Sequence, residues 1–400
     1  MKPMTFDQAL GVILENTVVC DCGQVSLEHC LGRISCPGNR ARLAIPCYDQ
    51  STRDGFVLRG KGRPAQQGRN GFMLGGEIPA GPSAQFEIGP DQAYRIMTGA
   101  YVPQGAERVV PQEACTLSGN EVLVPVEIFS DQRCHIRQIG SEQRRQEALV
   151  PPGTELGEFH LARLAAAGNE LVDVYRQPRV AFFCSGSEVV MADQRVDNGQ
   201  KVSSNHYLLK SLIERYRGVA KDYGIVADRR KDIAALLRKV QQASVDIIIS
   251  TGGVGPGKYD LLAGALLDVG AEVLYRALLV RPGRKTLFGL IGKTIYFGLP
   301  GPPSAVNILF HELIGPALDK MRGLAAAESR RTAARLLHDI SLKPDDLHCF
   351  RPGYYELQDG SVTVREAERQ EAPNCHIILE PGRSSYSADE LVTVNRLDRR

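Results

Sequence analysis

The stretch that decides the fold is Asp246-Ile-Ile-Ile-Ser250, which runs directly into Thr251-Gly-Gly-Val-Gly-Pro-Gly-Lys-Tyr-Asp260. A continuous apolar run of this kind is typical of a strand that is buried on both faces of a parallel sheet. Strand and helix patterns alternate from 176 to about 320, and this alternation predicts an α/β unit with a parallel sheet. The other strand candidates are 179–184, Val219–Val226, 272–279 and 294–297.

Three loops follow these strands, and they carry the polar residues of the candidate site. Ligand sites in such folds lie at the carboxyl ends of the strands, so we expect the loops to meet there. Glu188 and Asp260 favour a divalent cation beside a phosphate-bearing ligand. Arg281-Pro-Gly-Arg284 adds positive charge that suits a phosphate or an oxyanion. The loops are Ser185-Gly-Ser-Glu188, 251–260 and Gly298-Leu-Pro-Gly-Pro-Pro303.

The segment 252–258 also matches the GxxxxGK pattern of P-loop enzymes. The next residue is Tyr259, whereas a P-loop has a serine or threonine there that binds magnesium. We therefore favour a glycine loop that lets the backbone approach an anionic ligand. A plain strand-to-helix turn stays open as the alternative.

The rest of the chain divides by pattern. Residues 41–144 carry short β-rich runs broken by glycine and proline, which is typical of a mostly-β unit. We expect residues 1–40 and 145–175 to form one discontinuous helical linker domain, into which the β-rich domain 41–144 is inserted. An α/β domain at 176–325 and a C-terminal β domain at 330–400 complete the prediction. The clearest helical patterns are 5–16, 161–167 and 205–216.

Composition and charge exclude several classes of protein. Lys and Arg number 48 against 46 Asp and Glu, so the chain lacks the basic excess of a general nucleic-acid binder. No apolar run approaches the ~18 residues of a membrane-spanning helix. The start of the chain has no secretory pattern, so we expect a cytoplasmic protein. The ten cysteines form no CxxC pair. We expect reduced thiols, with a metal site around residues 20–36 as the alternative.

Several motifs, taken in order, resemble those of the molybdopterin molybdenumtransferase family, that is, MoeA and the E domain of gephyrin. The resemblance covers residues 1 to about 320, and the joint order of the motifs is specific. The matching stretches are Ser51-Thr-Arg-Asp-Gly-Phe56, Arg95-Ile-Met-Thr-Gly-Ala100, Val109-Val-Pro-Gln-Glu113, Pro178-Arg-Val-Ala-Phe-Phe183, Ser185-Gly-Ser-Glu188, Thr251-Gly-Gly-Val254, Pro282-Gly283 and Gly298-Leu-Pro-Gly301.

The resemblance implies a multidomain α/β plus β protein whose parallel-sheet domain is of the molybdopterin-binding type. It implies a transferase that inserts molybdate into adenylylated molybdopterin and releases AMP, with Mg2+ as cofactor. It also implies a homodimer, with further partners among molybdoenzymes or other proteins of the cofactor pathway, and neither a nucleic acid nor a membrane as partner. Catalytic roles fall on Asp54, Thr98, Glu188 and Asp260, of which Glu188 and Asp260 bind the metal. The implied cofactor-binding residues are Ser185, Gly186, Ser203, Gly252, Gly253, Arg281, Arg284, Pro300, Gly301 and Arg351.

The chain departs from the family pattern around this site. It has Ser203-Ser-Asn-His206 where the family begins with an acidic residue and ends with arginine. Lys258 stands at a usually acidic position, Ala277 at a usually basic one, and Gly301-Pro-Pro303 replaces a GNP turn. A catalytically altered paralogue, which binds a pterin cofactor or a partner without insertion, therefore stays open as the alternative.

Overall fold

The computed structural model describes residues 2–82, 84–253, 261–324, 331–343, 345–358 and 360–397. In these residues the strands form three large sheets and several two-stranded ribbons. The same residues contain no helix with the length and apolar character needed to cross a membrane.

Helix α1 (Phe6–Glu15) begins the chain, where the sequence predicted it. The Thr5 hydroxyl accepts a hydrogen bond from the Gln8 backbone N–H, and the Gln8 side chain accepts one from the Thr5 N–H, which forms a capping box. The buried face of α1 belongs to the core of the α/β sheet, so the first residues of the chain are anchored there and not on the strand β1 (Cys22–Ser26) that follows. That face consists of Phe6, Ala9 and Ile13.

The β-rich segment forms a sheet with two apolar faces. The strands are β2 (Gln50–Ser51), β3 (Gly55–Leu58), β4 (Arg63–Pro64), β5 (Arg69–Ile78), β6 (Gln92–Ile96), β7 (Arg108–Pro111), β8 (Thr116–Ser118), β9 (Glu121–Pro125) and β10 (Ile136–Arg137). The main path runs β7-β3-β6-β5-β9-β8. Strand β3 is buried throughout, and its alternate side chains Phe56 and Val57 enter different apolar clusters. This burial fixes the start of β3, where Asp54 lies.

Helix α2 (Glu158–Ala166) and strand β11 (Leu171–Tyr175) follow, and β11 pairs antiparallel with β1. The two segments that flank the β-rich insertion are therefore joined by strand pairing. The same pairing brings Cys22 and Cys36 together, because the Cys36 N–H donates to a carbonyl of β11. These two cysteines form a disulfide with a Cα–Cα distance of 6.2 Å, so the expectation of reduced thiols is wrong for this pair.

The α/β segment follows the predicted alternation. Its elements are β12 (Arg179–Ser185), β13 (Val189–Val190), β14 (Lys201–Val202), α3 (Ser204–Arg215), β15 (Val219–Val226), α4 (Arg230–Gln241), β16 (Ile247–Thr251), α5 (Leu261–Asp268), β17 (Glu272–Tyr275), β18 (Val280–Arg281), β19 (Leu287–Ile291), β20 (Thr294–Leu299), α6 (Pro303–Leu309), a π-helical turn (Phe310–Ile314) and α7 (Gly315–Met321).

The sheet of this segment has the order β15-β12-β16-β20-β19-β17. The pairs from β15 to β20 are parallel, which confirms the predicted α/β class. Strand β16 is buried along its whole length, with Ile247 and Ile249 in the core on one face and Ile248 in the core on the other. Strands β19 and β17 extend the sheet in antiparallel fashion. The sequence reading missed β19, which a two-residue turn at Gly292 connects to β20.

The C-terminal segment closes into a barrel. Its strands are β21 (Arg331–Leu336), β22 (Ile340–Ser341), β23 (His348–Gln358), β24 (Ser361–Glu366), β25 (Cys375–Leu379), β26 (Ser385–Tyr386) and β27 (Leu391–Arg396). The order is β18-β23-β24-β21-β27-β25, and the additional pairing of β23 with β25 completes the closure. Strand β18 belongs to the α/β segment by sequence, yet it pairs with β23, so the barrel and the α/β unit share a strand contact.

A buried polar network is a second link between the barrel and the α/β unit. Glu312, in the π-helical turn, accepts a hydrogen bond from the Asn395 amide at 2.7 Å and pairs with the His376 ring at 2.9 Å. All three side chains are buried. A carboxylate is tolerated there only because both partners satisfy it, so the network holds the barrel at one position on the helix.

Candidate active site

The carboxyl ends of the parallel strands gather the loops that the sequence singled out. In the register of the sheet, Ser185 lies beside Val226, Cys184 beside Thr251, and Thr251 beside Leu299. The loops that begin at Ser185, Gly252 and Pro300 therefore start side by side, as predicted. Within the glycine-rich loop only Gly252 and Gly253 are described, and Lys258, Tyr259 and Asp260 lie outside the described residues.

Gly252 is required where two of these loops touch. Its φ is +92°, and a Cβ built there would lie 2.3 Å from the Ser185 carbonyl oxygen. Any side chain would therefore collide with the neighbouring backbone. The glycine lets strands β12 and β16 end in close contact, with the Ser185 hydroxyl beside the loop backbone.

Polar atoms without partners collect at this edge. Among the described residues, the Ser185 Oγ, the Asn205 Oδ1 and the Asp228 Oδ1 are buried and lack a hydrogen-bond partner. Asn205 belongs to the first turn of α3, and its amide donates to the Gly301 carbonyl at 2.7 Å, which places it at the Pro300–Gly301 loop. Buried polar groups are normally paired, so a cluster of unpaired ones is typical of a site that binds a polar ligand.

The predicted residue Ser203 and its neighbour His206 lie at the start of α3, on either side of Asn205. Ser203 is the N-cap of α3 and is buried, and its side chain makes a hydrogen bond with the Cys184 thiol. Burial raises the pKa of that thiol. His206, one position into the helix from Asn205, pairs through its Nε2 with the Asp222 carboxylate at 3.0 Å. The departure from the family motif at 203–206 thus leaves a neutral N-cap and a His–Asp pair at the start of α3.

Glu188 lies in the loop after β12, half exposed, and its Oε1 is 3.2 Å from the Lys201 ammonium. A hydrogen bond from its own backbone N–H lowers the pKa of Glu188, and Lys201 lowers it further. The carboxylate is therefore ionised and open to solvent. Among the described residues, no three His, Cys, Asp or Glu side chains form a group that could hold a metal ion. Asp260, the other predicted ligand, lies outside them.

A basic cluster forms where β18 meets the barrel. Arg281 pairs in register with Cys349, and Arg351 follows two residues later on β23, so these side chains share one face of the sheet. Burial raises the pKa of the Cys349 thiol, and the charges of Arg351 and Arg281 oppose this effect. The Arg351 Nε is buried without a partner among the described residues. The structure therefore brings together two arginines that are 70 positions apart in the sequence (351 − 281).

Arg284 is exposed in the turn after β18. A Cβ at Gly283, the residue before it, would lie 2.7 Å from Leu309, so this turn packs against the last residue of α6, and Gly301 lies two residues before the start of that helix. Helix α6 thus connects the basic cluster with the sheet edge. No hydrogen bond or ion pair within the described part of the chain joins the two directly.

Asp54 and Thr98 meet in the β-rich sheet. The Thr98 backbone N–H donates to the Asp54 Oδ1 at 2.7 Å. This bond, with a second one from the Thr98 side chain, lowers the pKa of Asp54, whose carboxylate is fully exposed. Within the described residues no hydrogen bond or ion pair links Asp54 or Thr98 to the sheet edge of the same chain.

Comparison with known proteins assigns the family. Residues 4–168 match the MoeA N-terminal region (domain I and II), and residues 181–320 match a probable molybdopterin binding domain. A molybdopterin molybdenumtransferase of a Nostoc species is 35% identical over 311 residues, which cover 75% of this chain and 70% of the relative. The chain belongs to the molybdopterin molybdenumtransferase family. A relative from Haemophilus influenzae, also a molybdopterin molybdenumtransferase, is 27% identical over 401 residues, and the alignment covers 98% of this chain and 98% of the relative.

Solved structures of this family share the fold. A molybdopterin biosynthesis MoeA protein from Pyrococcus horikoshii aligns over 100% of both chains with a TM-score of 0.86 and 24% identity. A second structure from the same organism gives a TM-score of 0.77 at 24% identity, over 99% of this chain and 100% of the other. The β-rich, α/β and barrel parts are thus arranged as in MoeA proteins.

The sequence reading of this family member missed one acidic residue at the edge. Asp228 lies two residues after β15, whose last residue Val226 pairs with Ser185 of β12, and its Oδ1 is buried without a partner among the described residues. The sequence does contain a signal for Asp228, because it comes two residues after the predicted strand Val219–Val226 and polar residues just past a strand end are candidates for a site. This signal is hidden because Asp228 stands in a charged run, Asp228-Arg-Arg-Lys-Asp232, that resembles a solvated helix start.

The close contact at Gly252 predicts that substitution by alanine destabilises the protein more at Gly252 than at Gly270. Gly252→Ala adds a clash with backbone to a left-handed φ, so it should lower the free energy of unfolding by about 3 kcal/mol. Gly270→Ala is the control, since Gly270 also has a positive φ of 73° but open space around its Cβ, and it should cost about 1 kcal/mol. Urea denaturation measures both, and equal losses would contradict the clash.

The Asp54–Thr98 contact predicts that the Asp54 carboxyl titrates with a lowered pKa. NMR should find the pKa of Asp54 below 3.8, since both bonds favour the carboxylate. The bonds therefore stabilise the fold above that pH, and their contribution is lost as the pH falls through the lowered pKa. Thr98→Val removes only the hydroxyl and should raise the pKa part of the way. Thr52→Val, whose hydroxyl bonds to His135, should leave it unchanged.

Proposed function

We propose that this chain inserts molybdate into adenylylated molybdopterin and releases AMP together with the molybdenum cofactor. The observation that carries the proposal is the group of unpaired buried polar atoms at the strand ends, in a domain that matches a molybdopterin-binding family. The full-length match to molybdopterin molybdenumtransferases supports the same reaction. The alternative of a paralogue without insertion activity finds no specific support in these comparisons.

The sheet edge is the proposed seat of adenylylated molybdopterin. The Ser185 hydroxyl can donate to a ligand, and the Asn205 carbonyl oxygen can accept from one. The glycines at 186, 252 and 253 have positive φ and carry no side chain of their own, which would let a phosphate approach the loop backbone at Gly252 and Gly253. The predicted residues Ser203, Pro300 and Gly301 line the same edge.

The residues at this edge fit the Mg2+ that the family implies. The unpartnered carboxylate oxygen of Asp228 and the exposed carboxylate of Glu188 are the oxygen ligands that Mg2+ prefers. We propose that they hold the ion together with Asp260. A bound Mg2+ would neutralise phosphate charge of the adenylate. For this, Glu188 has to leave Lys201, whose ammonium occupies one of its oxygens.

The basic cluster is the proposed place for molybdate. Guanidinium groups present several N–H donors in one plane and bind tetrahedral oxyanions with two of them. Arg281 and Arg351 lie on one face of the β18–β23 pair, and Arg284 lies in the turn that follows. Helix α6 begins just after Gly301 and ends at Leu309 against the turn that precedes Arg284, so it would fix the distance between molybdate and the pterin ligand.

The remaining assignments concern assembly. Asp54 and Thr98 are exposed and make no contact with the sheet edge among the described residues of their own chain. We therefore propose a homodimer in which they complete the site of the partner copy, while each chain is divided into the four domains that its sequence predicts. Molybdoenzymes or other proteins of the cofactor pathway are proposed as further partners, in the cytoplasm.

The decisive experiment incubates the protein with adenylylated molybdopterin, Mg2+ and molybdate, and measures AMP release and cofactor formation. Arg281→Ala should raise the molybdate KM about tenfold or more, because a charge-assisted contact is lost. Arg230→Ala is the matched control, since Arg230 has the same 2.5 Å contact to an aspartate but lies on α4. If the wild type releases no AMP, the proposed function is wrong.

The metal assignment has its own test. Asp228→Asn keeps the shape of the side chain but removes its charge, so it should raise the Mg2+ concentration for half-maximal AMP release at least about tenfold. Asp232→Asn is the control, since Asp232 is paired with Arg229 on the exposed start of α4. Equal Mg2+ dependence of the two variants would remove Asp228 from the site.

A further inference from the structure

Asp345 lies between β22 and β23 and contacts Arg281 of the basic cluster. Its Oδ2 lies 2.5 Å from the Arg281 Nη2. Its other oxygen accepts from the Leu347 N–H at 3.2 Å, and its carbonyl accepts from the Gly382 N–H at 2.9 Å. One backbone bond thus holds the Asp345 carboxylate and another holds its main chain, so Arg281 is not its only partner.

The two arginines of the basic cluster differ in their distance from the nearest acidic side chain. Arg281 is in direct contact with Asp345, whereas Arg351 lies 3.7 Å from its acidic neighbour Glu366. The Arg351 Nε also lacks a partner among the described residues. Without ligand, Arg281 thus has its Nη2 engaged by a carboxylate, whereas the Nε of Arg351 is left without a partner among the described residues.

A carboxylate and a tetrahedral oxyanion use a guanidinium in the same way, through N–H donors in its plane. Asp345 therefore takes up a donor of Arg281 that molybdate would use. The pair is partly open to solvent, with side-chain exposures of 44% for Arg281 and 30% for Asp345. Exposed pairs of this kind contribute little stability, so a ligand can break the contact at small cost.

We propose that Asp345 is a built-in competitor for the oxyanion, which has to displace the Asp345 carboxylate from Arg281 before it binds. This inference rests on the proposed function of the basic cluster. A dianion such as molybdate gains more from the two arginines than the single charge of the carboxylate does. A monoanion such as nitrate has to displace the same carboxylate but gains less from the two arginines, so it should bind more weakly.

The test is isothermal titration calorimetry of molybdate, with nitrate as a second probe, into the full chain at low salt. Asp345→Asn removes the competing charge and should bind molybdate two- to fivefold more tightly, about 0.4–1 kcal/mol. The gain should shrink as salt screens the competing charge. Nitrate should gain by a similar factor, because it has to displace the same carboxylate. Asp268→Asn is the matched control, because Asp268 contacts Arg230 at the same 2.5 Å with a similar exposure of 34%, and it should change nothing.

A double variant tests whether Asp345 affects molybdate binding through Arg281. Arg281→Ala with Asp345→Asn should bind molybdate no better than Arg281→Ala alone, because the competition acts only through Arg281. Unchanged or weaker molybdate binding by Asp345→Asn would overturn the inference, since Asp345 would then be neutral or would position Arg281. If the wild type binds molybdate and releases AMP while Asp345→Asn gains nothing, only this inference fails. If the wild type does neither, the proposed function fails and this inference with it.

Discussion

The burial of strand β16 on both faces is the constraint on which the rest of the structure depends. Ile247, Ile248 and Ile249 pack into cores on opposite sides of the sheet, so the strand has to lie in the middle with helices on both faces. Its parallel neighbours then end at the same edge as it does. The contact of Gly252 with Ser185 and the unpaired oxygens nearby are consequences of that alignment.

The junction between the α/β unit and the barrel sets the second half of the site. Strand β18 pairs with β23, and the buried Glu312–His376–Asn395 network holds the barrel against the π-helical turn. An unpaired carboxylate in this apolar contact would be unfavourable, so the network tolerates one arrangement of its three members. The same arrangement places Arg351 beside Arg281. Anion binding by Arg281 and Arg351 thus depends on the packing at the junction between the α/β unit and the barrel.

Two charged groups of the proposed site are covered by opposite charges. Lys201 covers Glu188, and Asp345 covers Arg281. Pairing of this kind keeps clustered like charges from repelling each other in the absence of a ligand, at the expense of some affinity. Ligand binding at such a site is an exchange of ion pairs, so its strength depends on salt.

The sequence by itself determined the class of the fold, the strands β12, β15, β16 and β20, and the meeting of their loops, because periodicity and buried runs are local properties. It did not reveal β19, the Cys22–Cys36 disulfide, the orphaned Asp228 or the Asp345–Arg281 contact. Strand β19 depends on pairing with β20, and the disulfide depends on the pairing of β1 with β11. The Arg281–Arg351 neighbourhood depends on β18 joining a barrel formed far along the chain. Such contacts arise from the packing of distant segments, which no local pattern encodes, so only the tertiary structure decided them.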